Sequence, residues 1–283
     1  MPPARPSPNG RVLVVTPTYN EIESLEATIS AVLREVPEVD ILVVDDASPD
    51  GTGQLADRLA AAEQRVTVLH RDRKDGLGRA YAAGFAVAAE RGYDVVVELD
   101  ADGSHPPDAL PAMLTALGPA GPGDGGRRGN GLVIGSRWVP GGRVVDWPAP
   151  RRWLSRGGNR YARTMLRLPV RDVTAGYRAW RMEALRDIPL AALESRGYCF
   201  QIDMTRHAIA SGWGVVEVPI TFTERRAGRS KMSQAIVAEA MWRVTVWGVR
   251  RMLGRMRSRA PRNQDGSAPF VDIRQRVPPG SGR

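Results

Sequence analysis

The sequence predicts an α/β fold, a mostly parallel twisted sheet flanked by helices, with an amphipathic helix towards the C-terminus. Three observations predict it. Short apolar runs rich in valine alternate at short intervals with segments of helical period, a pattern that a parallel sheet with crossover helices satisfies. Thr16-Pro17, Asp45-Asp46 and Asp100-Ala101-Asp102 fall at the carboxyl ends of such runs, where ligands sit in these sheets. Near the C-terminus the pattern becomes one long two-faced helix.

Residues 11–16 (RVLVVT) read as a buried strand. Ile22, Leu25, Ile29, Val32 and Leu33 then recur at helical spacing, with Pro37 just beyond. Thr18 or Asn20 is the expected N-cap of that helix. Strands follow at 40–45, 66–70 and 94–99, with helices at 52–62 and 78–91 between them. Residues 118–131 (GPAGPGDGGRRGNG) predict a flexible loop. A strand resumes at 132–134, residues 152–168 read as a helix and 211–214 as a turn. Residues 215–223 alternate like one strand, and Pro219 points to a sheet edge. From Glu239, Met241, Trp242, Val246, Val249, Met252, Leu253 and Met256 share one helix side. Arg243, Arg250, Arg251, Arg255 and Arg257 share the other. Such a helix suits a membrane interface. The expected organisation is a disordered segment at 1–10, a catalytic domain at 11–232, the basic helix at 233–257 and a disordered basic tail at 258–283.

Composition narrows the classes. The 283 residues are 42% hydrophobic and 25% charged, as in soluble globular proteins. The single cysteine, Cys199, excludes an intramolecular disulfide and is expected in the core. Residues 1–10 lack the apolar core of a signal peptide, and no run of about 18 apolar residues predicts a spanning helix. The net charge of +9 is uneven: residues 221–283 carry +10 and residues 1–220 carry −1. A basic C-terminal region suits an anionic surface. The surface expected here is a membrane, with no nucleic acid. No G-x-G-x-x-G follows the first strand, which argues against a dinucleotide-dependent oxidoreductase.

Three segments carry chemistry. In Glu98-Leu99-Asp100-Ala101-Asp102-Gly103-Ser104-His105-Pro106, two carboxylates one residue apart would repel each other. A divalent cation relieves that repulsion, and oxygen donors suit Mg2+ or Mn2+. In Pro17-Thr18-Tyr19-Asn20-Glu21, Tyr19 can stack on a base and Glu21 can accept its hydrogen bonds; a plain helix start fits the same residues. In residues 44–52 (VDDASPDGT), Asp46 can accept from base or ribose, and Asp50-Gly51-Thr52 forms a turn and cap.

The motifs PTYNE (17–21), DDASPDGT (45–52), GLG (76–78) and DADGSHPP (100–107) occur in that order. They are followed by GSRW (135–138), GG (141–142), DVTAGYR (172–178), GYCFQ (197–201) and RRAGRSKM (225–232). Together they resemble the inverting family 2 glycosyltransferases of the GT-A fold, and among these the dolichol-phosphate (polyprenol-phosphate) mannose synthases. The resemblance spans residues 11–257. It implies that Pro17, Tyr19, Glu21, Val44 and Asp46 hold the nucleoside. It implies that Asp100, Ala101 and Asp102 hold diphosphate, sugar and metal. Asp100 and Asp102 are the implied metal ligands, with Ser104 a third candidate where some relatives carry Gln. Arg137, Arg225 and Lys231 would face the phosphates and, with Asp102, form the catalytic set.

The implied reaction moves mannose from GDP-mannose to a polyprenyl phosphate with inversion. The implied place is the cytoplasmic face of the plasma membrane, for a peripheral enzyme that could work with an integral membrane partner. A phosphate monoester is ionised near neutral pH, its second pKa being about 6, so the acceptor needs no general base. It needs positioning and charge screening. Arg225, Arg226, Arg229 and Lys231 suit that task, with Asp172 and Arg178 pairing to brace the acceptor loop. The alternatives are UDP-glucose as donor and, without enzymatic activity, a membrane- or nucleic-acid-binding module.

Overall fold

The apolar runs become strands in the computed structural model, which describes residues 10–118, 128–190, 198–224 and 234–258. β1 (Val12–Thr18), β2 (Asp40–Asp45), β3 (Val66–His70) and β4 (Val95–Glu98) lie parallel. Between them run α1 (Leu25–Glu35), α2 (Thr52–Ala62) and α3 (Leu77–Glu90). A 3₁₀ turn at Pro107–Ala109 leads into α4 (Leu110–Leu117), and β5 (Asn130–Ser136) follows. Next come β6 (Arg143–Val145), α5 (Ala149–Leu166), β7 (Arg178–Arg181) and α6 (Met182–Arg186). The last elements are α7 (Tyr198–Ala210), β8 (Gly214–Pro219), β9 (Thr221–Thr223) and α8 (Gln234–Ser258).

The main sheet has the order β3-β2-β1-β4-β7-β5-β8. Only β7 among its seven strands runs against its neighbours. The chain moves outward from β1 to β3, then returns to the other side of β1 with β4. That reversal opens a crevice beyond the carboxyl ends of β1 and β4. β6 and β9 form a separate parallel ribbon.

The strand period of two divides the core between the two sheet faces. Leu13 and Val15 join the cluster that holds Tyr81, Phe85, Trp180 and Val244. Val12 and Val14 join the cluster that holds Leu25, Ile29, Leu110 and Met113. Gly84 lets α3 lie close on β1: a Cβ there would come within 2.4 Å of Val15 Cγ1. α8 closes the first face through buried Val244. Tyr161 and Thr245 share a hydroxyl hydrogen bond of 2.6 Å, and Arg251 donates to the Leu166 carbonyl.

Several expectations change. Ile22 precedes α1 and is 40% exposed, so it belongs to the strand–helix loop. Neither Thr18 nor Asn20 caps α1: Thr18 ends β1, Asn20 has φ 60°, and Ser24 stands at the cap position. Residues 215–223 are two strands, because Ile220 turns inward and β9 leaves for the ribbon. β8 does lie at the sheet edge, as Pro219 indicates. Of the 118–131 loop, residues 119–127 lie outside the described residues, and Asn130 already belongs to β5. Of the expected segments 1–10 and 258–283, only Gly10 and Ser258 are described, and Ser258 ends α8. α8 does not pack through its main apolar side. Val244, Trp247 and Gly248 face the protein, while Trp242, Val249, Met252 and Leu253 are exposed.

Candidate active site

Strand register brings the acidic motifs to one edge. Thr18 of β1 pairs with Asp45 of β2, and Val15 pairs with Glu98 of β4. The chain beyond these pairs therefore emerges side by side. Asp45 is a brace: it accepts from Thr18 Oγ1 at 3.0 Å and from Ser48 Oγ at 2.5 Å. Asp46 points elsewhere and binds Arg71 Nη1 at 2.6 Å. Burial raises its pKa despite Arg71's opposing charge. Val44 is fully buried within β2. Pro17 and Tyr19 are partly exposed on the same rim, and Lys74 Nζ lies 3.9 Å from the Tyr19 ring centroid. The Glu21 amide donates to Thr52 Oγ1 at 3.0 Å, and its carboxylate accepts from Ser24 Oγ at 3.2 Å. These contacts fix the loop after β1 against the start of α2.

Beyond β4 the two carboxylates are held differently. Asp100 accepts from the Tyr81 hydroxyl of α3 at 2.8 Å. Burial, then the Asp100 charge, pushes the Tyr81 pKa well above its ordinary value, so the phenol stays a donor. Asp102 Oδ1 accepts from the Ser104 amide at 3.0 Å and from the Ser104 hydroxyl at 2.5 Å. Ser104 is thus placed as a brace of Asp102. Ala101 is buried, and its carbonyl accepts from Thr28 Oγ1 at 3.0 Å. Beneath the pair, fully buried Glu98 accepts from Trp180 Nε1 at 2.6 Å and Gln201 Nε2 at 2.5 Å. Burial raises its pKa to about 7, only partly offset by the Arg178 charge.

His105 follows Ser104 on the same edge. The structure buries it, with Nδ1 4.0 Å from Asp100 Oδ2. Its ring meets Phe222 edge-on at 5.3 Å, and Phe222 meets Trp147 at 5.4 Å. This aromatic ladder links the acidic edge to a cationic one. The Arg137 guanidinium lies 5.5 Å from the Trp147 ring and that of Arg151 lies 4.1 Å from it.

Arg137 is not simply turned towards the crevice. Its Nε and Nη2 each donate to the buried Asp172 carboxylate at 2.7 Å, and it is 6% exposed. The expected Asp172–Arg178 pair does not form, because Asp172 serves Arg137. Arg178 instead donates to the carbonyls of Val173, Ala175 and Gln201 and to Thr205 Oγ1. Gly142 makes the turn after Arg137 possible, since a Cβ there would fall 2.5 Å from the Ser136 carbonyl oxygen. Arg225, Arg226, Arg229 and Lys231 lie outside the described residues.

Arg137, held by Asp172, and Arg151, which donates to the Glu224 carboxylate, stand at one end of an apolar groove between α5 and α8. Leu154, Ile202, Met241 and Val244 line its length. The indole N–H of buried Trp147 has no acceptor among the described residues and belongs to the same wall. Sequence reasoning missed Arg151, Trp147 and the groove. Arg151 looked like one of many helix arginines, and only folding sets Trp147 beside it.

A mostly parallel sheet with an acidic crevice at its topological switch fits the GT-A glycosyltransferase fold. The family model described as Glycosyl transferase family 2 matches residues 13–189, and the chain belongs to that family. It is 56% identical over 239 residues to undecaprenyl-phosphate mannosyltransferase of Micrococcus luteus, covering 84% of this chain and 94% of the relative. It is 53% identical over 256 residues to polyprenol monophosphomannose synthase of Mycolicibacterium smegmatis, covering 90% and 93%. The fold is also that of a crystal structure of glucosyl-3-phosphoglycerate synthase from Mycobacterium tuberculosis. That enzyme is in complex with Mn2+, uridine diphosphate and glucosyl-3-phosphoglycerate. The TM-score is 0.57 at 21% identity, over 86% of this chain and 80% of that one.

Proposed function

We propose that this chain transfers mannose from GDP-mannose to a polyprenyl phosphate, with inversion, at a membrane surface. The observation that carries the reading is the apolar groove ending at Arg137, Arg151 and Trp147, one aromatic ladder away from Asp100. An acceptor with a long hydrocarbon and one phosphate has that shape, and its phosphate would share Arg151 with Glu224. The names of the two mannosyltransferase relatives support the same acceptor and sugar.

Asp100 and Asp102 fit a hard divalent cation such as Mg2+ or Mn2+. Among the described residues no third His, Cys, Asp or Glu joins them. Asp100 and Asp102 would hold such a cation, which would find further oxygen ligands outside the protein. When bound, it neutralises the diphosphate that leaves. Tyr81 and Ser104 orient the two carboxylates. Pro17, Tyr19, Glu21, Val44 and Asp46 frame the nucleoside. Arg137 and Arg151 orient the acceptor phosphate and screen its approach to an anionic donor. Arg225 and Lys231, outside the described residues, keep the phosphate-facing role that the family resemblance implies. One acceptor oxygen then bonds to the anomeric carbon as the bond to GDP breaks on the opposite face. No proton needs to move. The reading puts this action at the inner face of the plasma membrane, with peripheral attachment aided by the exposed Trp242, Val249, Met252 and Leu253 of α8.

The test is transfer of radiolabel from GDP-mannose or UDP-glucose to polyprenyl phosphate in detergent with Mg2+ or Mn2+. Lipid-extractable label is expected from GDP-mannose. Label only from UDP-glucose would overturn the donor, and no label from either would overturn the reaction.

A further inference from the structure

α5 carries five arginines and no carboxylate. Its two sides differ. Arg151, Leu154, Ser155 and Gly158, at helical spacing, line the acceptor groove. Arg152, Trp153 and Arg156 face away from it and wall a second cavity of about 350 Å³. Trp138, Arg143 and Val144 supply the opposite wall. No acidic residue lines this cavity. None of Arg143, Arg152 and Arg156 has a carboxylate partner among the described residues. Arg143 Nε donates to Thr221 Oγ1 at 3.0 Å, and the Arg156 guanidinium lies 4.7 Å from the Trp138 ring. The Trp138 indole N–H is buried and lacks an acceptor among the described residues.

The surroundings of the cavity are apolar and exposed. Trp153 is 74% exposed and its neighbour Leu154 52%. Leu154 shares the acceptor groove with Met241 of α8, whose exposed side continues with Trp242 at 69%. The α5 wall of the cavity therefore carries exposed Trp153, beside exposed Leu154, next to unneutralised guanidinium groups. Tryptophan settles at the depth of lipid headgroups, and arginine forks match phosphate oxygens.

We propose that the Arg143–Arg152–Arg156 cavity binds the headgroup phosphate of an anionic membrane phospholipid, separately from the acceptor groove. The site holds the enzyme on the bilayer in the orientation that opens the groove to the membrane. The inference rests on the reading that the enzyme works at a bilayer surface.

The test is co-sedimentation of the full chain with vesicles that contain no polyprenyl phosphate. One set is neutral phosphatidylcholine and the other includes phosphatidylglycerol. Wild type is expected to partition more strongly onto the anionic set. An arginine beside an anionic surface is worth roughly fivefold in partitioning, so Arg152→Gln/Arg156→Gln should lose on the order of twentyfold. Arg34→Gln/Arg58→Gln removes equal charge from the opposite sheet face and should lose much less. GDP binding by both variants checks the fold. Equal losses in the two double variants would reduce the effect to net charge and overturn the site. A wild type that ignores both vesicle sets would overturn the bilayer reading along with it.

Discussion

Tyr81 shows how one buried hydroxyl can set a site. It is fully buried on α3 and donates to Asp100 at 2.8 Å. Groups that orient a metal ligand commonly change metal affinity by roughly 10- to 100-fold. Tyr81→Phe is expected to weaken metal-dependent GDP binding by on the order of tenfold and leave metal-free binding unchanged. Calorimetric titration of Mg2+ or Mn2+ with GDP present reads this directly, and unchanged metal affinity would remove Tyr81 from the site. This contact is not legible in the sequence, where Tyr81 lies in an alanine-rich helix 19 residues before Asp100. The Asp100-Ala101-Asp102 motif itself is legible because local spacing carries it. Arg137 lies between these cases. Its motif marks it, but the Asp172 fork that fixes its guanidinium joins residues 35 apart through a loop no local pattern describes.

At the scale of elements, the sequence reads best where one period governs. β2, α2 and β3 end where the apolar patterns end. Boundaries shift where a side chain far away decides: Ile220 splits the 215–223 run by packing into the core. The α2–β3 turn, by contrast, is held by a local pair. Arg65 grips Glu63 through Nε at 2.9 Å and Nη2 at 2.7 Å, and also donates to the Pro37 carbonyl. Hydrogen bonds from Arg65 hold the Glu63 carboxyl down at about 2, from an ordinary value of 4.5. A depressed carboxyl contributes stability above its unfolded pKa and loses it as pH falls through the folded value. The affected window is thus about pH 4.5 down to about pH 2. Because the pair is a third exposed, solvent screening limits the contribution to about 1 kcal/mol or less. Glu63→Gln is expected to lower the melting temperature slightly at pH 7 and to narrow its gap to wild type at pH 3. A gap that widens towards acid would contradict the assignment.

For the whole molecule, the C-terminal helix matters most to the proposed chemistry. Helical period alone suggests a clean division into an apolar and a basic side. Folding adds a third stripe, because Val244, Trp247 and Gly248 dock on α5 and α7 while the apolar side stays outside. The Arg206 guanidinium of α7 lies 5.2 Å from the Trp247 ring, and Gly248 abuts Met165 of α5. Deleting α8 would therefore strip the core as well as the proposed membrane contact, and a truncation cannot separate the two. A point change can. Met241 is 36% exposed and lines the groove from the α8 side. Met241→Glu places a charge beside the proposed hydrocarbon path and leaves the Val244 packing in place. A charge in contact with lipid chains costs a few kcal/mol, or at least about tenfold in acceptor affinity. The expected result is a KM for long-chain polyprenyl phosphate raised about tenfold or more, with GDP-mannose binding and the melting temperature unchanged. A short, water-soluble prenyl phosphate that does not reach α8 should show a much smaller change. Equal KM increases for both acceptors would mean that the chain does not run along the α5–α8 groove. The phosphate site at Arg137 and Arg151 could then stand, but the route of the lipid would have to be sought elsewhere.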